Sequence, residues 1–418
     1  MLLIGTSVLD FYVARLISKT NSSKYKKTFL VFSLTTNIGV LFIFKYFVFF
    51  YNTALSVFST NSLLLSSFII PAGLSFYTFQ SISYLIDIYR GKYKADDKMV
   101  DFLLYVSFFP HMVAGPIVRY SSLMPQLKTT HYFKNIEFWE AFKLMIWGFF
   151  KKMVIADNLA RIINPVFNNL PSNFNSVEYI LVAILFLIQL YADFSGYSDI
   201  ATGVAKLFNI KLDINWKRPL LSKSITEYWK RHHISLTSWF KEYVYFSLGG
   251  NKVNRLKWVF NILFVFILSG LWHGANFTFF IWGVLNGVFY LLERSLNKIV
   301  FKIPEILKWI YTMILISLFF IAFRSNNLSD LKYIYYSIFV NFSLKGGMIH
   351  FFALNDFLFL MLMFCFLFVL ITKEVQEEYS FLKISFVDKV KPIFYIVVLC
   401  LIFAFGNFNS NSFIYFQF

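Results

Sequence analysis

Charged side chains are scarce in this chain. Asp, Glu, Lys and Arg make up only 15% of 418 residues, while 58% are hydrophobic. Soluble domains run nearer a quarter charged, so a soluble globular protein is excluded. Acidic residues are the scarcer kind, 22 against 39 Lys and Arg, for a net charge of +17. On a soluble protein that excess would point to nucleic acid. Here the basic residues cluster between apolar runs, as the positive-inside rule requires, and no nucleic-acid partner is expected. A lesser role in attracting an anionic cytosolic substrate is compatible with the same charge. Cysteine is nearly absent. Cys365 and Cys400 lie in apolar runs with neither CxxC nor metal-ligand spacing, and they read as packing residues. There is no HExxH, so no metal site is expected, and no bound cofactor either. GxSxG, the P-loop, GxGxxG and the HxxxxD pair of soluble acyltransferases are all missing. No internal repeat or paired midplane charge supports a transporter. The N-terminal stretch has no basic leader, and Asp10 interrupts its apolar run, which argues against a signal peptide.

What remains is a membrane composition. Aromatic residues reach 22%, with 56 Phe, 25 Tyr and 9 Trp. Phe suits lipid-facing and interhelical surface, and Trp and Tyr suit the interface belts. Apolar runs long enough to span a bilayer fall at 28–50, 62–86, 99–118, 178–194, 307–323, 351–371 and 392–410. Residues 258–292 form a longer case, with 1–18 and 138–155 as weaker ones. The expected fold is all-α, a polytopic helix bundle of roughly nine to eleven segments with interfacial or re-entrant helices around a tunnel. Residues 1–418 read as a single transmembrane domain. Lys19, Lys24, Lys26 and Lys27 mark one cytosolic loop. Arg90, Lys92, Lys94 and Lys98 mark another, and Lys383, Lys389 and Lys391 precede the last span. That span then runs outward and leaves Asn407 to Phe418 extracytoplasmic.

The stretch SGLWHGANF, 269–277, raises the sharpest question. It sets His273 inside about 35 residues, Trp258 to Leu292, that carry no charge. One straight helix of that length would be roughly 50 Å, against a core of about 30 Å. That is too long for one crossing and too short for two full ones, so a break is expected near Gly270–Gly274. Irregular backbone at membrane depth must be buried in protein or line a wet cavity. His273 is therefore expected to face a cavity, with Trp272 and Asn276 beside it. Ionisable residues within spans are functional candidates by default.

Three further groups stand out. In EYWKRHHISLTSWFKEYVYF, residues Trp229, His233, Leu236, Phe240 and Val244 share a face at helical spacing. A continuous interfacial helix is expected there, with His233 toward the bundle and His232 toward headgroups. It belongs to a strongly basic stretch, Lys206 to Lys257. Asp193 and Asp199 close the span of 178–194. They read either as water-accessible caps or as carboxylates that orient an imidazole or fix a helix crossing. In FFPHMVAGPIVRY, 108–120, Pro110, Gly115 and Pro116 break the helix, and Arg119 anchors a re-entrant or kinked element.

Taken together, PAGLSFYTFQSISYLIDIYRG (71–91), FFPHMVAGPIVRYSSLMPQL (108–127), YADFSGYSDIATGVAKLFNI (191–210), YWKRHHISLTSWFKEYVYFSLGGN (228–251) and LSGLWHGANFTFFIWGVLNG (268–287) resemble the membrane-bound O-acyltransferase family. The resemblance is strongest to the branch that acetylates bacterial polysaccharides such as alginate and peptidoglycan. It covers most of the chain in the same order. It implies acyl transfer from a cytosolic donor, an acetyl thioester such as acetyl-CoA, through a tunnel to an acceptor outside the cytoplasmic (inner) membrane. His273 matches the family's WHG histidine. His233 matches its second histidine, with His232 standing where a Trp is usual. FIYFQF, 413–418, resembles the terminal aromatic motif of the acetyltransferase branch, which implies that Tyr415 is an acyl relay. Without the resemblance it would be an aromatic interface anchor. Asp193, Trp272, Asn276 and Arg119 are the candidates for substrate binding. The implied partner is a separate extracytoplasmic transferase. The Phe-, Lys- and Asn-rich composition favours peptidoglycan over alginate as the final acceptor, with D-alanyl transfer to teichoic acid as the alternative chemistry. Relatives carry a further stretch ahead of GTSVLDFYVARLI, so a first helix or two of the family is expected to be missing here.

Overall fold

The computed structural model describes residues 1–58, 68, 71, 73–112, 115–170, 174–296, 303–344, 351–352, 355–379 and 385–408. Side chains at 56–58 and 385–391 are outside that description. Among the described residues the chain is helical, with no strand. The helices are α1 (Leu2–Lys19), α2 (Ser23–Lys45), α3 (Phe47–Phe58), α4 (Leu74–Tyr89), α5 (Met99–Ser107), α6 (Phe109–Met112), α7 (Tyr120–Lys128), α8 (Phe138–Phe149) and α9 (Asp157–Asn168). They continue as α10 (Ser176–Leu207), α11 (Ile225–Arg231), α12 (Ile234–Trp239), α13 (Arg255–His273), α14 (Phe277–Ser295), α15 (Glu305–Arg324), α16 (Leu328–Phe339), α17 (Phe357–Glu378) and α18 (Ser385–Phe405). Five of them, α2, α10, α13, α15 and α17, are long and apolar enough to cross a membrane.

Helix α10 is the axis of the bundle. Its 32 residues span about 48 Å. It starts on a capping box, in which Asn175 accepts from the amides of Val177 and Glu178, and Glu178 accepts from the Asn175 amide at 2.9 Å. The expected span at 178–194 therefore runs on to Leu207. It can do so because its acids find partners inside the bundle. Between α8 and α9 the chain takes a π-helical turn, Phe150–Ala156, in which successive side chains diverge less than in an α-helix. Two consecutive lysines then reach α10. Lys151 pairs with Asp199 at 2.7 Å, and Lys152 pairs with Asp193 at 2.6 Å and Asp157 at 2.9 Å. Asp193 is buried, so it is not a water-accessible cap.

A second polar contact explains Asp10. It is fully buried and accepts from Ser33 and from Asn37 at 2.8 Å, which staples α1 to α2. Polar side chains hold helices together in this way where no water competes. Helix α4 is almost wholly enclosed, with only Ile86 of Leu74–Ile88 partly open. It is an internal helix, wrapped by α1, α2 and α5.

Three expectations are corrected. The run at 99–118 is not one span. It bends at Phe108, where ψ is 101°, and breaks again after Met112. The uncharged run at 258–292 holds two antiparallel helices, α13 and α14, of 19 residues each. Each is about 28 Å long, because both continue past the uncharged run to Arg255 and Arg294. Cys365 and Cys400 are exposed on α17 and α18, so they face outward and do not pack the core.

Close backbone approach sets the crossing of α8 and α10. A Cβ on Gly148 would lie 2.6 Å from the Gly196 carbonyl oxygen, and one on Gly196 would lie 2.8 Å from the Gly148 oxygen. Gly148→Val should therefore destabilise the bundle by about 1–3 kcal/mol. Gly39→Ala should not, since nothing lies within 4 Å of a Cβ there. Thermal unfolding of both variants in one detergent checks this, and equal melting points would refute the packing argument.

Candidate functional site

His273 is the last residue of α13. The helix stops there because Gly274 is extended, at φ −164° and ψ 156°. Three residues later Asn276 caps α14 by accepting from the Thr278 amide at 3.1 Å. The turn is tight, since a Cβ on Gly270 would meet the Phe279 carbonyl oxygen at 2.2 Å. The expected break thus exists, and it leaves His273 buried. Its ring centroid is 4.9 Å from Trp272, 5.5 Å from Trp282 and 5.0 Å from Phe323.

His233 also sits at a break. The expected continuous helix through 228–251 is in fact α11, a two-histidine kink, α12 and a π turn over Phe240–Tyr245. At the kink His233 has φ 44° and ψ 55°, the left-handed region that L-residues avoid. Asn215 holds it there. Its carbonyl accepts from the Ile234 amide at 2.8 Å, and its side chain accepts from the Ser235 amide and hydroxyl at 3.1 and 2.9 Å. From α14, Glu293 accepts from the amides of Ile225 and Thr226 and so fixes the start of α11. Strained backbone kept by surrounding structure is typical of functional sites.

The two breaks converge. The His233 ring lies 6.3 Å from Trp272, the indole that also neighbours His273. Phe194 of α10 and Trp216 complete its surroundings at 6.0 and 5.8 Å. Neither ring nitrogen of His233 has a hydrogen-bond partner among the described residues. Burial pushes its imidazole down to about 3, so it is neutral at physiological pH, the state a proton acceptor needs. His232 does not face headgroups as expected. It is buried, 4.5 Å from Trp216 and 4.8 Å from Tyr228. The kink turns both histidines inward, whereas a continuous helix would have parted them.

Of the remaining candidates, Trp272 and Asn276 belong to this site and two lie apart. Asp193 makes its ion pair with Lys152, which fixes the α10 crossing. Arg119 pairs with Glu242 at 3.4 Å and lies 4.9 Å over Tyr243. Tyr415 lies outside the described residues. Beside the break, Ala275 and Asn276 line a cavity of about 510 Å³ together with Asn164, Asn168, Phe279, Arg324, Ser325 and Asn326. Arg324 is buried and donates to the side-chain oxygens of Asn164 and Asn168 at 3.0 and 3.1 Å. A guanidinium only donates, so both amide groups turn their nitrogens away from it. No carboxylate is among the residues that line the cavity, and Arg324 is its one charged side chain.

Sequence reasoning missed Lys45, whose ammonium donates to the Trp272 carbonyl. Its signal was present, a lone lysine in the apolar run at 28–50. It also missed Asn215 and Arg324. Nothing local marks Asn215, because its partners are 19 and 20 residues away.

The chain is similar to known membrane proteins. The family model described as MBOAT, membrane-bound O-acyltransferase family, matches residues 98–328. A peptidoglycan O-acetyltransferase of Helicobacter pylori is 36% identical over 79% of this chain and 68% of its own length. A probable alginate O-acetylase of Pseudomonas aeruginosa is 36% identical over 78% of this chain, and the match spans 64% of that protein. A teichoic acid D-alanyltransferase of Bacillus subtilis is 28% identical over 54% of this chain and 59% of its own length.

The left-handed kink yields a test. His233→Gly and His233→Ala both remove the imidazole, but only glycine adopts φ 44° without cost. The Gly variant should be the more stable by about 1 kcal/mol. An Ala variant as stable as the Gly variant in chemical unfolding would contradict the strain.

Proposed function

The chain belongs to the membrane-bound O-acyltransferase family and is a membrane-embedded acyltransferase, and we propose that it passes an acetyl group from a cytosolic thioester, acetyl-CoA, to an acceptor outside the cytoplasmic membrane. The observation that carries the reading is the convergence of His273 and His233 on Trp272 inside an aromatic chamber, each at a helix break. The O-acetylating relatives match a larger share of the chain at higher identity than the D-alanyl relative, which supports acetyl as the acyl group. The basic loops around Lys19–Lys27 and Arg90–Lys98 define the cytosolic face in this reading. The basic stretch Lys206–Lys257 favours the phosphates of the donor there.

In the proposed step, His273 takes the proton of an attacking hydroxyl. The oxygen adds to the thioester carbonyl carbon, the carbon–sulfur bond breaks, and the departing thiolate takes the proton from the imidazolium. Tyr415 is the first hydroxyl acceptor, at the extracytoplasmic end of the chain. A separate extracytoplasmic transferase then moves the acetyl group to a polysaccharide hydroxyl, with peptidoglycan as the final acceptor. An unperturbed tyrosine has a pKa of about 10, so the relay needs a base within hydrogen-bond reach or one water of it.

Two measurements test this. His273→Ala should insert and fold, yet lower acetyl transfer by at least about 100-fold. A purified variant with wild-type transfer would end the catalytic role. Tyr415→Phe keeps the ring and removes only the oxygen, so it should bind the outer transferase and transfer little acetyl. Full transfer by Tyr415→Phe, with loss in Tyr415→Ala, would leave Tyr415 as an anchor. Ester content of the cell wall with and without the gene checks the proposed acceptor. Unchanged wall acetylation would exclude peptidoglycan.

A further inference from the structure

A helix ends with four carbonyl groups that have no partner inside it. For α13 these are the carbonyls of Gly270 to His273. Ordinary C-caps come from the chain that follows, but Gly274 leaves in an extended conformation and folds no cap back. Partners come from another helix. Lys45, the last residue of α2, donates its ammonium to the Trp272 carbonyl, and the adjacent Tyr46 donates its hydroxyl to the Leu271 carbonyl at 2.9 Å. The same ammonium lies 5.7 Å from the centroid of the Trp272 ring. A lysine in a run as apolar as VLFIFKYFVFF is costly to place, and a cation at a helix C-terminus is where the helix dipole favours it.

We propose that Lys45, assisted by Tyr46, is a positioning residue for acyl transfer. It caps α13 from a different helix and so fixes the point at which the helix stops and presents His273. This rests on the catalytic reading of His273 given above. Lys45 grips the carbonyl of the residue directly before His273 on one side and faces the indole shared with His233 on the other. A shift of the cap therefore moves the imidazole relative to Trp272 and the thioester. Donor binding elsewhere in the bundle is left untouched.

The experiment measures free thiol released from acetyl-CoA by the purified protein in phospholipid nanodiscs, together with its extracytoplasmic transferase. Lys45→Met should lower kcat by about 100-fold, the effect of an ångström-scale misplacement, with KM for acetyl-CoA within twofold of wild type. Lys45→Arg restores a cationic donor and should recover kcat to within about tenfold of wild type. A merely structural lysine would not split kcat from KM in this way. If Lys45→Met does not fold, Tyr46→Phe decides, since it removes one cap bond and keeps the ring. It should lower kcat severalfold at constant KM. His273→Ala is run in parallel. Wild-type kcat in folded Lys45→Met or Tyr46→Phe, with His273→Ala inactive, overturns the cap alone. An effect on KM only overturns it too. Activity in His273→Ala overturns the catalytic reading instead.

Discussion

A helix end buried in a low-dielectric bundle is the constraint on which this structure turns. Water cannot satisfy the last carbonyls of α13, and each one left bare would cost several kcal/mol. The chain nevertheless stops α13 at His273 and restarts at Phe277. Partners must then converge on the break from elsewhere. Lys45 and Tyr46 arrive from α2 at the carbonyl side. At the amide side Asn276 caps α14 and also donates to the Asn326 carbonyl at 2.7 Å, which ties the break to the α15–α16 turn. The histidine is held because everything around the interruption is already committed.

The second break follows the same logic with different parts. His233 occupies backbone space that costs its residue about 1–2 kcal/mol, and Asn215 offsets this with three hydrogen bonds around the kink. Asn215 is in turn fixed by its place beside Trp216, whose indole donates to Ser198 of α10 at 3.1 Å. Helix α10 is anchored by the Lys151–Asp199 and Lys152–Asp193 pairs. Removing one partner of a buried pair leaves the other charge uncompensated, at about 3–5 kcal/mol. The acids at the end of the predicted span are thus part of the scaffold, two steps behind the imidazole.

How much of this was legible in the sequence depends on the range of the signal. The interruption at His273 was visible, because an uncharged run with two glycines around a histidine cannot be one straight crossing. Its length was misjudged. Both helices extend beyond the uncharged run to Arg255 and Arg294, whose long side chains can reach polar surroundings from a helix end. The kink at His233 was not legible. Helical spacing of Trp229, Leu236 and Phe240 suits a continuous helix equally well, and the residue that enforces φ 44° lies far back at Asn215. Asp10 looked like an interruption of an apolar run. It is a buried acceptor for Ser33 and Asn37, a pairing that becomes visible only when α1 and α2 are laid side by side.

Two interruptions facing one indole make chemical sense together. A continuous helix keeps its backbone groups occupied and points its side chains outward from a smooth cylinder. An imidazole at such a position can be packed, yet it has little room for a reacting group. Ending α13 at His273 and kinking the chain at His233 places both rings at the edges of elements, around Trp272. The cost is backbone strain and bare carbonyls, which demand the cap from α2 and the brace from Asn215. A polar cavity then opens directly beside the first break, through Ala275 and Asn276. Of the residues that repair the backbone, Asn215 adjoins Trp216 beside His233, while Lys45 and Tyr46 come from α2, far off in the chain. Trp272 belongs both to the repaired backbone and to the surroundings of the imidazoles, its carbonyl held by Lys45 and its ring a neighbour of both histidines.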